Sequence, residues 1–466
     1  MIGVLGGGIS GLAAAHYLLK TKVQPVTVLE ASHRIGGWIQ TTNSPTGNIY
    51  EHGPRTIRVR GPLGENTLLL VKELGLSNKV LPIPSTHPAA RNRMVYVDKK
   101  LHLLPSNLTS VLLPKPPFTK PIISALLKDI STAKKEVSDE SIYDFVERRL
   151  GKELAEYAIS PLICGVCAGD AKKISAKFLM KSLFEAEQKH GSIFKGMMMN
   201  MLQNRKNKMP PSQDELCERA RKERWNVWSL EGGMEELPKA LESNVRQKGC
   251  EIVLNAPCTE MQILNDKEVF VKAGSVEHKF NHVFCALPAY KLAELVHRQH
   301  PQLSSDLAAI PYVSVGLVNL QYDGKCLKQD AFGFLVPPSQ KLPILGIVFD
   351  SCCFGKNDKT VLTVMMGGAW FEELFGENPS PDTFLSTAVK YTTDILGIVG
   401  KPESHSVSIL RNCIPQYVLG HHDRVDRIRK YIKQNNLPIS VVGAPYDGVG
   451  VNDVIFSSKQ AVVNIH

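Results

Sequence analysis

The feature that most constrains this sequence is an apolar run at its N-terminus that leads directly into a glycine-rich turn. Ile2–Leu5 predicts a buried strand, and Gly6-Gly7-Gly8-Ile9-Ser10-Gly11 follows it with the spacing GxGxxG. Residues 12–19 are strong helix formers, so the order is strand, glycine turn, helix. Such glycines permit a tight turn, close approach of a pyrophosphate, and close packing of the helix on the strand. The motif therefore predicts a dinucleotide site at the N-terminus of a helix.

An acidic residue at the end of the next predicted strand narrows the choice of dinucleotide. Val26–Leu29 predicts that strand, and Glu30 follows it, about twenty residues past the glycine motif. A carboxylate there accepts hydrogen bonds from the adenosine ribose and repels a 2′-phosphate, which favours FAD or NAD over NADP. The glycine pair in Arg34-Ile35-Gly36-Gly37-Trp38 resembles the FAD signature of glutathione-reductase-like and amine-oxidase-like flavoproteins. FAD is therefore the first choice.

A third glycine turn lies near the C-terminus. Residues 439–443 predict a buried strand, and the glycine-rich run 444–453 leads into a predicted terminal helix. This geometry would aim a helix N-terminus at the flavin ring or its ribityl chain, where it can stabilise negative charge on the reduced ring. Further strands are predicted at 251–254, 268–272 and 283–288, and the last of these is apolar on both faces, as in a covered sheet.

These pieces predict an α/β protein with a discontinuous Rossmann-like FAD-binding domain, formed by residues 1–90, 226–290 and 430–466. Two insertions supply the rest of the chain. Residues 91–225 are predicted to form a helical, basic domain for membrane binding and the substrate channel. Residues 291–429 are predicted to form a substrate-binding domain with a mixed sheet.

Charge is concentrated in the insertion 91–225. The chain of 466 residues has a net charge of +10, and this segment holds 25 basic and 16 acidic residues. Such a region can meet nucleic acid, an anionic membrane or an anionic substrate, or it can be an ordinary solvated surface. Nucleic acid is disfavoured, because the segment lacks zinc-finger spacing and interleaved arginine and aromatic residues.

Two stretches of this insertion are amphipathic. Five apolar residues fall on one helical face next to lysines: Ile122, Ile123, Leu126, Leu127 and Ile130. The methionine-rich run 197–202 precedes a second basic stretch. Both patterns fit an anionic lipid interface, and they equally fit a helical core with a solvated rim. No apolar run reaches the roughly 18–20 residues that a membrane-spanning helix needs.

The ten cysteines do not form a disulfide or metal pattern. They are too sparse and irregular for a stapled secreted fold, which indicates reduced thiols. Cys164 and Cys167 form a CxxC without a second CxxC or a suitable histidine pair, so no metal site is predicted.

Six segments together resemble the protoporphyrinogen oxidases, a family of haem-biosynthetic flavoproteins in the flavin amine-oxidase-like superfamily, and especially its mitochondrial animal members. The segments are 4–14, 34–39, 53–55, 87–93, 412–417 and 446–453, and the resemblance covers essentially the whole chain. It implies non-covalent FAD, six-electron oxidation of protoporphyrinogen IX to protoporphyrin IX, dioxygen as acceptor and hydrogen peroxide as product. It also implies a homodimer on the intermembrane-space side of the mitochondrial inner membrane. Because the first strand begins at residue 2, this location would require an internal targeting signal.

The resemblance also implies the residues that contact the cofactor: Gly6, Gly7, Gly8, Ile9, Ser10, Gly11, Glu30, Ala31, Trp38, Gly53, Pro54, Arg55, Thr56, Cys258, Ala444, Val449, Gly450 and Val451. Cys258 stands where the family usually has an aliphatic residue, which is harmless if only its backbone contacts the cofactor. Arg55 could pair with a flavin phosphate or cap its own turn.

For the substrate, the resemblance points to Arg93 as the partner of a propionate and to Phe332, Leu335 and Met365 as residues that sandwich the ring. A propionate needs an arginine-like donor, and a macrocycle needs an apolar slot. From the sequence alone, the three apolar residues fit a protein core equally well, and Arg93 fits an ordinary surface position. No catalytic side chain is nominated, since the cofactor carries the chemistry. Two other functions stay open: another flavin oxidase of the amine-oxidase group, and a non-catalytic escort-type carrier.

Overall fold

The computed structural model describes residues 1–21, 25–59, 61–106, 111–206, 212–355 and 358–465. The strands of these residues, numbered in chain order, are β1 (Ile2–Leu5), β2 (Val26–Leu29), β3 (Thr41–Asn43), β4 (Ile49–Glu51), β5 (Ile57–Arg58), β6 (Val80–Pro84), β7 (Arg93–Val97), β8 (Lys100–Leu103), β9 (Trp225–Leu230), β10 (Glu251–Val253), β11 (Cys258–Asn265), β12 (Glu268–Ala273), β13 (Val276–Phe280), β14 (His282–Cys285), β15 (Tyr312–Asp323), β16 (Gly333–Leu335), β17 (Ile344–Val348), β18 (Lys359–Gly368), β19 (Ser404–Pro415) and β20 (Ile439–Val441).

The α-helices fall into three groups along the chain. The N-terminal part contains Ile9–Lys20, Gly61–Glu73 and Pro88–Arg91. The insertion contains Ser124–Ser131, Ile142–Leu150, Lys152–Leu154, Ser160–Cys167, Ala176–Leu179, Lys181–His190, Ile193–Lys206 and Glu215–Lys222, with a π-helical turn at Ala155–Ile159. The remainder contains Glu236–Gln247, Ala289–Val296, Pro301–Ala308, Asp350–Phe354, Phe371–Phe375, Pro381–Leu396, His421–Gln434, Ala444–Asp447 and Val451–Val463.

A parallel sheet of five strands, in the order β10-β2-β1-β14-β20, lies at the centre of the glycine-rich part of the chain. Its strands come from residues between 2 and 441 that are far apart in the sequence. Every residue of β1 and β2 is buried, as expected where both faces of a parallel sheet are covered. The strands predicted at 2–5 and 26–29 have these bounds in the structure, so both predictions are confirmed.

Two apolar clusters cover this sheet, one on each face. On one face, Leu12, Leu68 and Ile455 bring together the helices Ile9–Lys20, Gly61–Glu73 and Val451–Val463. On the other face, Leu292 and Leu307 come from two further helices. The strand predicted at 268–272 is present as β12, but it belongs to a separate antiparallel sheet, β11-β12-β13.

A second large sheet has seven strands in the order β19-β15-β18-β17-β16-β7-β8. One of its faces packs into an apolar cluster that includes Phe334, Val364 and Phe384. Strands β7 and β8 come from the insertion predicted to be helical, and β7 pairs in parallel with β16. Residues 93–103 therefore extend the sheet of the 291–429 segment, where Met94, Val95 and Val97 of β7 are buried.

Helices dominate the insertion after residue 123, and a buried ion pair holds two of them. Asp129 and Arg149 are fully buried, and Arg149 Nε donates to Asp129 Oδ1 at 2.6 Å. Asp129 also accepts hydrogen bonds from Ser192 and from the backbone N–H of Phe194, at the start of helix Ile193–Lys206. The two helices that carry the amphipathic stretches are thus fixed to each other. Among the described residues, no helix is both long enough and apolar enough to cross a bilayer.

Candidate functional site

At the N-terminal glycine turn, the backbone of the first helix packs directly on the backbone that follows β1. Gly6 has φ of +101°, a conformation that favours glycine, and it links β1 to the first helix. A Cβ on Gly11 would lie 1.9 Å from the carbonyl oxygen of Gly6, so only glycine lets the helix approach the strand this closely. The helix starts after Gly8, which has no side chain to cap the first turn. Its N-terminal N–H groups are thus available to an anion.

The second glycine pair lies directly on the first turn. The N–H of Gly36 donates to the carbonyl oxygen of Gly7 at 2.9 Å. A Cβ built on Gly37, where φ is +59°, would lie only 3.1 Å from the Cα of Gly8. Next to this contact, Trp38 leaves 46% of its surface exposed. The two glycine stretches form a cradle that side chains would fill, and this geometry fits a phosphate-bearing dinucleotide.

Glu30 lies at the carboxyl end of β2, as the sequence predicted. One of its carboxylate oxygens accepts a hydrogen bond from the N–H of Gly7 at 2.6 Å. The other accepts from the N–H and hydroxyl groups of Ser32 at 2.8 and 2.7 Å. These bonds hold the carboxylate beside the glycine turn. Ala31 is exposed next to it.

Cys258 begins β11 close to this carboxylate. Its thiol is half-buried. Burial, together with the negative charge of Glu30, raises the pKa of the Cys258 thiol to about 11. The side chain is therefore a neutral thiol at physiological pH, so its difference from the family pattern adds no charge near Glu30.

The C-terminal glycine turn meets the first one at Ser10. Strand β20 pairs with β14, and the chain then turns at Gly443, where φ is +106° and a Cβ would lie 3.0 Å from Ser10 Oγ. Ser458 in the last helix donates its hydroxyl to the carbonyl oxygen of Ser10 at 2.8 Å. That helix has Gly450 as its N-cap, and Val449 and Val451 beside it are half-buried. The structure thus brings all three glycine turns together at the carboxyl ends of the strands of the parallel sheet.

The segment after β4 links this end of the parallel sheet to the seven-stranded sheet. A Cβ on Gly53 would lie 2.1 Å from the carbonyl oxygen of Trp38, so the segment packs tightly on the second glycine pair. Pro54 and Thr56 are half-buried. Arg55 donates from Nη1 to Asp350 Oδ1 at 2.9 Å. This ion pair was not among the two roles that the sequence suggested for Arg55.

Sequence reasoning missed three polar residues at this junction: Glu51, His52 and Asp350. The Nδ1 of His52 lies 2.8 Å from Ser408 Oγ on β19. Asp350 accepts a hydrogen bond from Thr363 Oγ1 at 2.7 Å, in addition to the one from Arg55. No local sequence signal marks these residues, because each also has a distant partner, such as Ser408 for His52 and Arg55 for Asp350.

The surroundings of Glu51 raise the pKa of its carboxyl group. It is buried, and it accepts hydrogen bonds from the N–H of Met234 and the hydroxyl of Thr41, both at 2.7 Å. Burial raises the pKa of Glu51 to about 7, although these hydrogen bonds and the charge of Arg55 act in the opposite direction. It lines a cavity of about 40 Å³ that also borders Arg55 and Asp350.

The other face of the seven-stranded sheet carries three of the predicted substrate residues. Leu335, Gly346 and Met365 lie in one row across β16, β17 and β18. Arg93 is exposed on β7, opposite Gly333, and projects to the same face as Leu335. A Cβ on Gly346 would lie 3.0 Å from Leu335 Cδ2, so the Leu335 side chain lies over this glycine.

Helix Ser160–Cys167 covers part of this face. A Cβ on Gly165 would lie 2.9 Å from Leu335 Cδ2, and Met365 packs against the cluster that includes Cys164. Phe332 lies just before β16, where it is half-buried and its N–H donates to the carbonyl oxygen of Asn92 at 3.1 Å. It therefore stands outside the row.

Comparison with known proteins places this arrangement among flavoproteins. The family model described as flavin containing amine oxidoreductase matches residues 9–466. A protoporphyrinogen oxidase of Homo sapiens is 40% identical, over 99% of this chain and 97% of its own length. A coproporphyrinogen III oxidase of Bacillus subtilis is 26% identical, over 98% of this chain and 96% of its own length. A crystal structure from an Exiguobacterium species, provisionally named protoporphyrinogen oxidase, superposes with a TM-score of 0.79 at 24% identity and covers 100% of this chain and 98% of that one.

The raised pKa of Glu51 predicts a specific pH dependence of stability. Between the ordinary carboxyl pKa of about 4.5 and about 7, the folded state holds a proton that the unfolded state has lost, so stability falls as pH rises through this window. Glu51→Gln removes this titration and keeps an acceptor for Met234. We expect the variant to gain up to about 3 kcal/mol relative to the wild type between pH 5 and pH 8. Urea unfolding at both pH values measures this, and an equal difference at the two values would contradict it.

Proposed function

Because the chain belongs to the family of flavin-containing amine oxidoreductases, we propose that it is an oxygen-dependent protoporphyrinogen oxidase of haem biosynthesis. It oxidises protoporphyrinogen IX to protoporphyrin IX by removing six electrons, and each two-electron step reduces one dioxygen to hydrogen peroxide. The observation that carries the proposal is the 40% identity to protoporphyrinogen oxidases of Homo sapiens and Macaca fascicularis across nearly the full length of both chains.

We infer that the flavin is FAD, bound without a covalent link. The glycine cradle supports a dinucleotide, and the Glu30 carboxylate beside it suits an adenosine ribose. The residues proposed to hold it are those named for the cofactor in the sequence analysis, with the side chain of Arg55 directed to Asp350. A non-catalytic carrier on this fold would not need an open cofactor cradle between the two glycine stretches.

The chain's own residues bind and orient the substrate and exclude water from it. When bound, the flavin supplies the acceptor for a hydride from a bridging carbon of the macrocycle. The row formed by Leu335, Gly346 and Met365 offers an apolar surface, which suits a macrocycle. Arg93 on the same face offers a cation to a propionate. Helix Ser160–Cys167 excludes water from one side of this surface.

An alanine at Gly8 tests the cofactor cradle separately from the fold. Gly8 has an ordinary φ of −70°, and its Cβ would lie 3.8 Å from the Cα of Gly37, so the protein should fold. The methyl group would occupy the space left for the pyrophosphate, and we expect FAD affinity to fall at least about tenfold. Titration of the apoprotein with FAD, followed by flavin fluorescence, measures the loss. Gly11→Ala is the contrasting variant, because its Cβ would overlap Gly6 and should prevent folding.

The activity is tested with protoporphyrinogen IX in air, by following red porphyrin fluorescence above the spontaneous rate. We expect Arg93→Ala to raise KM about tenfold while FAD content stays unchanged, since a charged hydrogen bond to a carboxylate contributes about 1.5–3 kcal/mol. Coproporphyrinogen III and a primary amine serve as alternative substrates. Faster oxidation of either one would replace the proposed substrate, and an unchanged KM in the variant would remove Arg93 from the site.

We further propose that the chain acts as a homodimer on the intermembrane-space side of the mitochondrial inner membrane, attached by an apolar surface of the insertion. The exposed side chains of this apolar surface are Leu112, Leu113, Ile123, Leu127, Ile130, Phe194, Met197, Met198, Met201 and Leu202. Ile122 and Leu126, which the sequence placed on the same face, are half-buried instead. The exposed Lys120 and Lys195 lie near this surface and suit anionic lipid.

An aspartate in the apolar surface should weaken lipid binding. Leu127 is 68% exposed, and transfer of a leucine side chain into an apolar phase contributes about 1.5–3 kcal/mol. We therefore expect Leu127→Asp to reduce binding to vesicles of phosphatidylcholine and phosphatidylglycerol about tenfold or more. Val399, which is 85% exposed elsewhere in the sequence, gives the matched control Val399→Asp. Co-sedimentation with the vesicles measures the binding of both variants. An equal loss in the two variants would contradict the proposal, as would wild-type binding that does not weaken when salt is added.

A further inference from the structure

Strand β19 has a bulge near its end, shortly before two residues that contact both the substrate-covering helix and the C-terminal glycine turn. Leu410 pairs with Val315 on β15, yet Ile414 already pairs with Val313, so extra residues of β19 stand opposite Ser314. Asn412 in this bulge has φ of +45°, and its N–H donates to Ser314 Oγ at 3.1 Å. A bulge bends a strand and aims its next side chains in a new direction. After the bulge, Ile414 and Pro415 pair with β15 again, and Gln416 and Tyr417 directly follow the end of the strand.

Gln416 holds the end of the helix that covers the substrate face. Its side chain is buried, and Nε2 donates to the carbonyl oxygen of Cys167 at 2.9 Å. Cys167 is the last residue of helix Ser160–Cys167, so its carbonyl has no partner within the helix. A Cβ on Gly169 would lie 2.4 Å from Gln416 Oε1, which shows that the amide fits closely against the chain after the helix.

Tyr417 holds the C-terminal glycine turn. Its side chain is fully buried, and its hydroxyl donates to the carbonyl oxygen of Ala444 at 2.7 Å. The ring packs on Phe178 with centroids 4.5 Å apart, and the Tyr417 carbonyl oxygen accepts the N–H of Ser175 at 2.8 Å. Burial raises the pKa of Tyr417 well above its ordinary value, so the hydroxyl stays a neutral donor.

Adjacent side chains therefore connect two parts of the site that are otherwise far apart in the chain. Gln416 holds the helix over Leu335 and Met365, and Tyr417 holds Ala444. Val449 from the same glycine turn packs against the cluster that contains Tyr417 and Cys167. We propose that Gln416 and Tyr417 are positioning residues that set the substrate-covering helix against the cofactor-facing turn. The inference rests on the proposed function, which puts the flavin at the turn and the porphyrinogen on the sheet face beside the helix.

The substitution Tyr417→Phe tests this link, because it removes the hydroxyl and keeps the ring. We expect the variant to bind FAD and to show a shifted visible absorption band of the flavin in the absence of substrate. We expect kcat for protoporphyrinogen to fall about tenfold with little change in KM, because an interaction that affects only the transition state lowers kcat alone. The spectrum reports on the turn even if another substrate proves correct, so failure of the proposed function is distinguishable from failure of this inference.

Tyr322→Phe is the matched control. Tyr322 is also buried, on β15, and its hydroxyl has no hydrogen-bond partner within the described part of the chain. Its loss should leave the spectrum and kcat unchanged. An unshifted spectrum and an unchanged kcat in Tyr417→Phe would overturn the inference, as would equal changes in the control.

If Tyr417→Phe does not fold, Gln416→Met tests the other end of the same link. Methionine has a similar size but cannot donate to the carbonyl oxygen of Cys167. We expect KM to rise about tenfold, because the covering helix is released at one end, while the flavin spectrum keeps its wild-type form. An unchanged KM would overturn the inference.

Discussion

The close approach of backbone to backbone at the glycine turns is the constraint on which the rest of the structure depends. A side chain on Gly11 would overlap the Gly6 carbonyl oxygen, and a Cβ on Gly37 would lie 3.1 Å from the Cα of Gly8. These contacts place the first helix directly at the end of β1 and bring a second stretch of chain over its N-terminus. Without them, the positive end of the helix dipole would not face the space between the two stretches. The other elements of the site are then arranged around that space.

Local signals were sufficient to predict the elements that form this space. The apolar runs of β1 and β2, the glycine spacing and the position of Glu30 are all contained in the first 37 residues. Residues such as Glu51 and Asp350 could not be predicted in the same way. Asp350 acquires its role only when the seven-stranded sheet meets Arg55, 295 positions earlier in the chain. The residues that surround Asp350 in the sequence are mostly ordinary apolar ones and do not indicate that distant partner.

The amphipathic stretch of the insertion shows a different limit of sequence reasoning. The periodicity of Ile122 to Ile130 predicts one continuous helical face, but the helix begins only at Ser124. Residues 122 and 123 form a turn instead, in which the N–H groups of Ser124 and Ala125 donate to the carbonyl oxygens of Pro121 and Ile122. Asp129 then points inward, because Arg149 offers it a buried partner. Only part of the predicted face is left exposed, and an acidic residue in the pattern proves to be a structural anchor.

Polar contacts, in addition to apolar ones such as the packing of Tyr312 of β15 on the parallel sheet, connect the two large sheets at the site. Their apolar clusters are separate, and the links between them include Arg55 with Asp350, His52 with Ser408 and Tyr417 with Ala444. Apolar packing is non-directional and tolerates small shifts of one layer over another. Hydrogen bonds lose strength steeply outside a narrow range of distance and angle. A junction that includes such partly buried hydrogen bonds therefore fixes the separation of the two surfaces more narrowly than packing alone, which suits the proposed transfer of a hydride from the substrate to the flavin.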